Sequence, residues 1–337
     1  MKIAIVTTTI HTPRTLSLMA KLSPDVRFFV ALDENTPEEA VNFCRYDVPN
    51  TQVIFLQDQE KWACAKYIPM RCVERRSFAI LEAVAWGADV LVAWDNDNIP
   101  IDGSYFSAFQ MLFDPEWENG FTLKASSPTG WFDPGALLVP QTKHRGFPIG
   151  IKLDPVFEPV VDAKIGVAQG LCLGDPDIDA VTRIATAPII HSASELGRAG
   201  IVVDPNCWAV FNTQNTAFIR ELAPAMFQMP GVGRYSDIYA SLITQRVMRE
   251  RGLHVHFGQP FVWQQRNQHD LIRDLRQEID GMENVWKLAG ILDNMDRFAV
   301  DKSIERQIYE HLYNVDWWPK IASDAALAFL DDMESVL

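Results

Sequence analysis

Four apolar residues, Val90-Leu91-Val92-Ala93, run into Trp94 and then break off into Asp95-Asn96-Asp97-Asn98-Ile99-Pro100. A continuous apolar run with an abrupt polar end is the pattern of a strand buried in a sheet and stopped at a loop. Pro100 has no N–H to give to a ladder, which reinforces the stop. At the tip, two carboxylates with one residue between them suit a hard divalent cation, Mn2+ or Mg2+. Such an ion takes oxygen ligands and keeps waters and substrate phosphates as the remainder. This points to a diphosphate whose leaving charge the ion would offset. The competing reading is a solvated turn, because Asp and Asn form turns on their own account. Spacing alone leaves both open.

The preceding chain supplies more of an α/β pattern. Ile3-Ala4-Ile5-Val6 followed by Thr7-Thr8-Thr9 predicts a buried first strand ending in hydroxyls. That is the usual opening of a nucleotide-binding unit, with Thr7 and Thr8 as candidate donor contacts. Pro13-Arg14 leads into an amphipathic segment bearing Leu16, Leu18, Met19 and Leu22. A second strand, Val26 to Leu32, ends at Asp33, which either meets a ribose or base edge or solvates a turn. Val53 to Leu56 makes a third strand. From Arg71 to Trp86 the spacing predicts a helix on which Arg71 and Arg75 share a face beside Arg76. Three guanidinium groups so placed suit a diphosphate, whose oxygens they bind bidentately. The alternative is an exposed helix charge-paired through Glu74 and Glu82.

Beyond Pro100, helices are expected over Ser104 to Phe113 and Ile238 to Glu250, the latter ending at Gly252. Gly and Pro density marks Lys143 to Gly150 and Gln169 to Ala180 as ordered, specially shaped loops. Ala209 to Phe218, Val255 to Phe257 and Phe261 to Trp263 are strand-like. From His269 the chain is helical and amphipathic, and its Trp286, Trp317 and Trp318 suit core packing or subunit contact in a homo-oligomer.

Bulk composition narrows the class. With 48% hydrophobic and 22% charged residues, the 337-residue chain has enough apolar surface for a globular core. A net charge of -14 argues against a surface built for nucleic acid or anionic membrane, though a local basic groove stays compatible with it. Five scattered cysteines without a C-x-x-C favour reduced thiols in a cytoplasmic compartment. The opening strand-like run lacks the apolar core of a signal peptide, and no segment has the length of a membrane span.

Several blocks resemble a known family. Gly170-Leu171-Cys172-Leu173-Gly174-Asp175-Pro176-Asp177-Ile178-Asp179-Ala180 is similar to the G-L-W-L-N-I-P-D-Y-D-A block of the reversibly glycosylated polypeptides, the plant UDP-arabinopyranose mutases. His144-Arg145-Gly146-Phe147-Pro148 resembles their R-G-Y-P segment. Asn215 to Phe218, Pro224-Ala225-Met226 and Gly233 to Asp237 resemble their N-L-A-F, P-A-M and G-R-Y-D-D run, in the same order. Gly252 to Trp263 is similar to the strand pair that follows, so the likeness covers roughly residues 75 to 275. The stretch from Asp58 to Pro100 also looks like the STELLO-type glycosyltransferases. Both resemblances imply an α/β, Rossmann-like GT-A fold that binds a UDP-sugar donor. On that reading residues 1–268 form the GT-A domain and 269–337 a helical C-terminal extension.

Carried over by position, Asp95, Asn96 and Asp97 match the family's D-D-D, with Asn96 departing from it. Arg145 matches the arginine that accepts the sugar reversibly in the mutases. Its alternative is a clamp on phosphate or carboxylate, since an arginine at its ordinary pKa is a poor nucleophile. Lys152 stands where the family has a second arginine, and Gln264 where it has a histidine that would ligate metal. A Gln amide oxygen still serves a hard cation. Asp237 matches the second acid of R-Y-D-D and is either a general base or acceptor-orienting carboxylate, or the N-cap of the next helix.

The expectation is therefore a metal-dependent glycosyltransferase with Asp95, Asp97 and Gln264 as ligands. Thr7, Thr8, Asp33, Arg71, Arg75, Arg76, Asp95 and Asn96 would face the donor, and Asp237 and Arg145 would act in catalysis. The acceptor would be a glycan, a protein or a modified nucleobase. A UDP-sugar mutase and a self-glycosylating binding protein are the alternatives. The departures at Lys152 and Gln264 favour the transferase.

Overall fold

A computed structural model describes residues 1–114, 122–267 and 269–337. The chain forms two compact units, one of Met1–Asn96, Phe218–Val232 and Met295–Leu337, the other of Asp97–Ala217 and Gly233–Asn294. The fold is mixed α/β with mainly parallel strand pairing, Rossmann-like as the sequence predicts.

In the first unit, β1 (Ile3–Thr9), β2 (Arg27–Leu32), β3 (Thr51–Ile54) and β4 (Val90–Trp94) pair in parallel in the order β3-β2-β1-β4. Helices α1 (Arg14–Leu22), α2 (Glu38–Tyr46), α3 (Leu56–Gln59) and α4 (Arg76–Trp86) connect them. All five residues of β4 are buried, as a strand covered on both faces requires. In α4 only Glu82, Ala85 and Trp86 escape full burial, and the helix packs across β1 and β2. It stops at Gly87, whose φ of 84° lets its N–H reach the Val84 carbonyl at 2.9 Å. Two later helices, Ile304–Leu312 and Lys320–Glu334, complete this unit. The second is anchored by Asp332, whose carboxylate accepts from the Ala63 and Cys64 amides at 2.8 and 2.9 Å.

The second unit contains β5 (Asn98–Pro100), β6 (Thr122–Ser126), β7 (Leu138–Val139), β8 (Val156–Val160) and β9 (Ile165–Gly174). After these come β10 (Ser192–Ala193), β11 (Ile201–Val203), β12 (Asn215–Ile219, its last two residues in the first unit) and β13 (His254–Gln264). Its sheet runs β9-β13-β11-β6-β8, with β5 antiparallel on the far end of β13 and β7 and β10 as a separate ribbon. Helices α5 (Tyr105–Phe113), α6 (Ala180–Thr186), α7 (Glu195–Ala199), α8 (Ser236–Arg251) and α9 (Leu271–Asp293) surround it. The segment 269–337 thus divides, α9 belonging to the second unit and the two later helices to the first. Gln268, the boundary expected from sequence, lies outside the described residues.

Four local expectations are corrected. Asn98–Pro100 is a short strand, because Pro100 sits at an edge position opposite Val262 where no N–H is demanded. Residues 169–174 belong to β9 rather than to a loop. Gly170 is required there because a Cβ would strike the Asn215 side chain and the Pro260 carbonyl. Val255 to Trp263 lies in one strand, β13, whose register shifts between Gly258 and Val262. The region expected as a helix from Arg71 begins only at Arg76, preceded by a 3-10 turn over Val73–Arg75. The five cysteines are free thiols, and among the described residues no helix is long and apolar enough to cross a membrane.

Candidate functional site

In a parallel α/β sheet, ligands meet the loops at the carboxyl ends of the strands. In the first unit that edge is formed by the ends of β1, β2 and β4. Thr7 Oγ1 donates to the Trp94 carbonyl (2.7 Å) and Thr8 Oγ1 to the Ala31 carbonyl (2.8 Å). Asn96 Nδ2 donates to Thr9 Oγ1 (2.8 Å), and Thr15 Oγ1 donates to the Asn96 carbonyl (3.2 Å). The hydroxyls therefore tie the strand ends to one another. Thr7 is fully buried, and Thr8 and Asn96 retain partial exposure at the edge.

Asp33 is buried and occupied by backbone. Its Oδ1 accepts from the Glu34 and Arg71 amides (2.7 and 2.9 Å) and its Oδ2 from the Cys72 amide (3.0 Å). This captures the chain at Arg71, whose φ is 60°, and ends any helical path through it. The three arginines consequently do not share a helix face. Arg71 is exposed and paired with Glu34 at 2.5 Å. Arg75 is buried, donating to Gln59 Oε1 (2.5 Å) and the Pro69 carbonyl (3.2 Å), and burial lowers its pKa. Arg76 is buried and pairs through Nη2 with Asp95 Oδ1. A guanidinium on Asp95 offsets the charge that would attract a cation there.

Asp97 opens the second unit. Gln264, the last residue of β13, donates from Nε2 to Asp97 Oδ2 at 3.3 Å. The Gln264 Oε1 is buried and accepts no hydrogen bond among the described residues. Beside it in register is Asn98, whose Nδ2 donates to the Gln214 carbonyl (2.9 Å). A carboxylate and an orphaned amide oxygen are the donor types of a hard cation that keeps waters and substrate oxygens for its other positions. Among the described residues, no three His, Cys, Asp or Glu side chains gather to hold a metal on their own.

The densest charge cluster also lies in the second unit. Arg145 is buried between two carboxylates. Its Nε donates to both oxygens of Asp177 (2.9 and 2.8 Å). Nη1 and Nη2 donate to Asp237 Oδ1 and Oδ2 (3.0 and 2.8 Å), and Nη1 also reaches the Arg234 carbonyl. The two acids hold the guanidinium firmly protonated, well above its already high pKa, and Arg145 holds Asp177 far below the usual carboxylate range despite burial. Asp237 lies within the first turn of α8, with its Oδ1 accepting from the Ile238 amide at 2.9 Å, and the helix N-cap is Tyr235. The N-cap reading is thereby corrected. Ser236 is buried at the same turn, whereas Lys152 is exposed.

Next to this cluster Asp133 is fully buried. Its Oδ1 accepts from the Gly135 and His144 amides at 2.8 and 3.1 Å, and desolvation pushes its pKa up to about 7. Arg234 in turn donates to Glu278 at 3.0 Å and lies 3.3 Å from Asp274, both on α9. Glu278 accepts from the Ala180 amide at 2.8 Å, closing a chain of contacts between α6, α9 and the turn before α8. Sequence reasoning singled out Arg145 and Asp237 and missed Asp177, Arg234, Asp274 and Glu278 as their neighbours. The signal available was Asp177 within the Gly170–Ala180 block and Arg234 within Gly233–Asp237. Nothing in the sequence marks the two acids on α9.

Comparison with known proteins bears on this same part of the chain. No curated protein matches it. The profile of the family described as "Reversibly glycosylated polypeptide" matches residues 145–315, beginning at Arg145 and taking in Asp177, Arg234, Asp237 and Gln264. With half of its length so matched, the chain belongs to the reversibly glycosylated polypeptide family.

Proposed function

We propose that this protein acts on a UDP-sugar, and that it does so as a mutase or by reversible transfer onto itself. The observation carrying the proposal is the family match over 145–315, which starts at the arginine buried between Asp177 and Asp237. The β3-β2-β1-β4 order of the first unit supports a nucleotide at its carboxyl edge, near Thr8, Thr9 and Asn96. In the second unit, Asp97 and Gln264 would hold a divalent cation through their oxygens. When bound, such an ion offsets negative charge building on a leaving phosphate.

Sugar leaving a diphosphate passes through an oxocarbenium-like state, so nearby carboxylates favour the cationic sugar. Asp237 and Asp177 hold Arg145 in a fixed orientation, and Arg145 in turn keeps Asp177 ionised. In this reading Arg145 works as part of that triad. Covalent capture of a sugar on Arg145 needs the guanidinium to lose a proton, because the protonated group has no nucleophilic lone pair. The adjacent Asp177 or Asp237 carboxylate would take that proton as the N–C bond forms and UDP departs.

Transfer to an external glycan, protein or modified nucleobase is the second reading, favoured by Lys152 and Gln264, which depart from the mutase pattern. Incubation with UDP-arabinopyranose and manganese, followed by product chromatography and intact-mass analysis, separates them. The proposal expects a ring-isomerised UDP-sugar or a sugar increment on the protein. Neither product, with sugar consumed only when an acceptor is supplied, would replace it by the transferase reading.

A further inference from the structure

The arginines at the carboxyl end of the parallel β9/β13 pair are not equivalent. Arg145 lies between Asp177 and Asp237, Arg183 pairs with Asp175, and Arg234 is 3.0 Å from Glu278. Arg266, two residues beyond the end of β13, differs. Its side chain is only 8% exposed, yet its nearest carboxylate oxygen is Asp274 Oδ2, 3.6 Å from Nη2 and beyond hydrogen-bond range. Asp274 is also shared with His269 at 3.0 Å and Arg234 at 3.3 Å. Among the described residues the Arg266 guanidinium makes no hydrogen bond, and its buried Nε is an orphaned donor. Asp175, Asp177, Arg183 and Arg234 are its charged surroundings.

A guanidinium carries five donors in a planar fork, and withdrawing it from water without acceptors is costly. Arg183 Nε is orphaned in the same way. The Gly174 and Gln264 ends of β9 and β13 are paired directly, so these donors collect where a parallel α/β sheet presents its ligand edge. The carboxylates nearby already serve other cations, and what is missing is an oxyanion.

We propose that Arg266 is the docking group for a phosphoryl oxyanion at the β9/β13 edge, resting on the UDP-sugar reading for the identification of that anion as the donor's diphosphate. The planar fork matches two phosphate oxygens, which a lysine head cannot do.

The test uses the full chain and inorganic pyrophosphate, with affinity read by calorimetry. Arg266→Gln is expected to weaken binding roughly ten- to a hundredfold, the loss of a charge-assisted bidentate contact. Its melting temperature without ligand should match or exceed wild type, because the side chain makes no hydrogen bond among the described residues. Arg266→Lys keeps the charge without the fork and should fall between the two. Equal affinity in wild type and both variants overturns the proposal, as does absence of pyrophosphate binding by wild type. A large drop in the melting temperature of both variants would make Arg266 structural and also overturn it. Turnover of UDP-sugars is measured in parallel. Arg266-dependent pyrophosphate binding without any UDP-sugar turnover would remove the functional reading and leave this site standing. Normal turnover with unaltered pyrophosphate affinity in Arg266→Gln would remove this site alone.

Discussion

Arg145 and Asp237 meet as a two-pronged pair, Nη1 to Oδ1 at 3.0 Å and Nη2 to Oδ2 at 2.8 Å, with both side chains buried. Asp177 closes the other side of the same guanidinium. Removing the cation leaves two uncompensated buried carboxylates. Arg145→Ala should therefore lose about 3–5 kcal/mol of unfolding free energy in urea titration. Arg145→Lys should recover only part of it, since an ammonium cannot satisfy both acids bidentately. Full recovery by lysine would mean that charge alone matters at this position.

The Asp133 carboxyl predicts a distinctive pH dependence. In the unfolded chain it ionises near pH 4, whereas in the fold it stays protonated up to about 7. Between those values the native state binds the extra proton, so stability falls as pH rises and levels off above 7. The ceiling is about 4 kcal/mol at roughly 1.4 kcal/mol per pH unit. His256, whose pKa burial lowers to about 4, works the other way, losing stability as pH falls below its ordinary range. The difference between Asp133→Asn and wild type isolates the carboxyl. It should be near zero at pH 4 and grow in favour of the variant toward pH 7, as read from denaturation midpoints. Parallel curves would contradict the assignment.

Gly281 on α9 lies against the face of the Tyr235 ring, and an added Cβ would run into its ring carbons. Gly281→Ala should cost about 1–3 kcal/mol through overpacking. Because Tyr235 follows Arg234, the change should also disturb the Arg234–Glu278 pair and lower activity along with the melting temperature. A variant with unchanged stability would show that this contact yields easily.

These elements also mark how far the sequence could be read. The β4 strand was legible because five consecutive apolar residues leave little choice of environment. The arginine helix was not, because Asp33, 38 residues before Arg71, captures the amides that would have begun it. Gly170 looked like a loop residue, and only the nearness of Asn215 and Pro260 explains a glycine inside a buried strand. Arg145 and Asp237 were each visible by resemblance. Their pairing across 92 positions was not, because chain separation carries no signal of contact.

The Asp97–Gln264 contact gives a metal prediction. Manganese should raise the wild-type melting temperature through binding to the folded state. Asp97→Ala and Gln264→Ala should each reduce that rise, with the larger loss at the carboxylate. An undiminished rise in Asp97→Ala would place the ion elsewhere.

Thermal shift with a panel of UDP- and GDP-sugars, each with and without manganese, tests the central claim most directly. Ligand at a hundred times its dissociation constant adds about 2.7 kcal/mol to the folded state. At least one UDP-sugar should therefore shift the transition upward by several degrees and outperform its GDP counterpart. A transition unmoved by every sugar nucleotide, in either condition, would contradict the account.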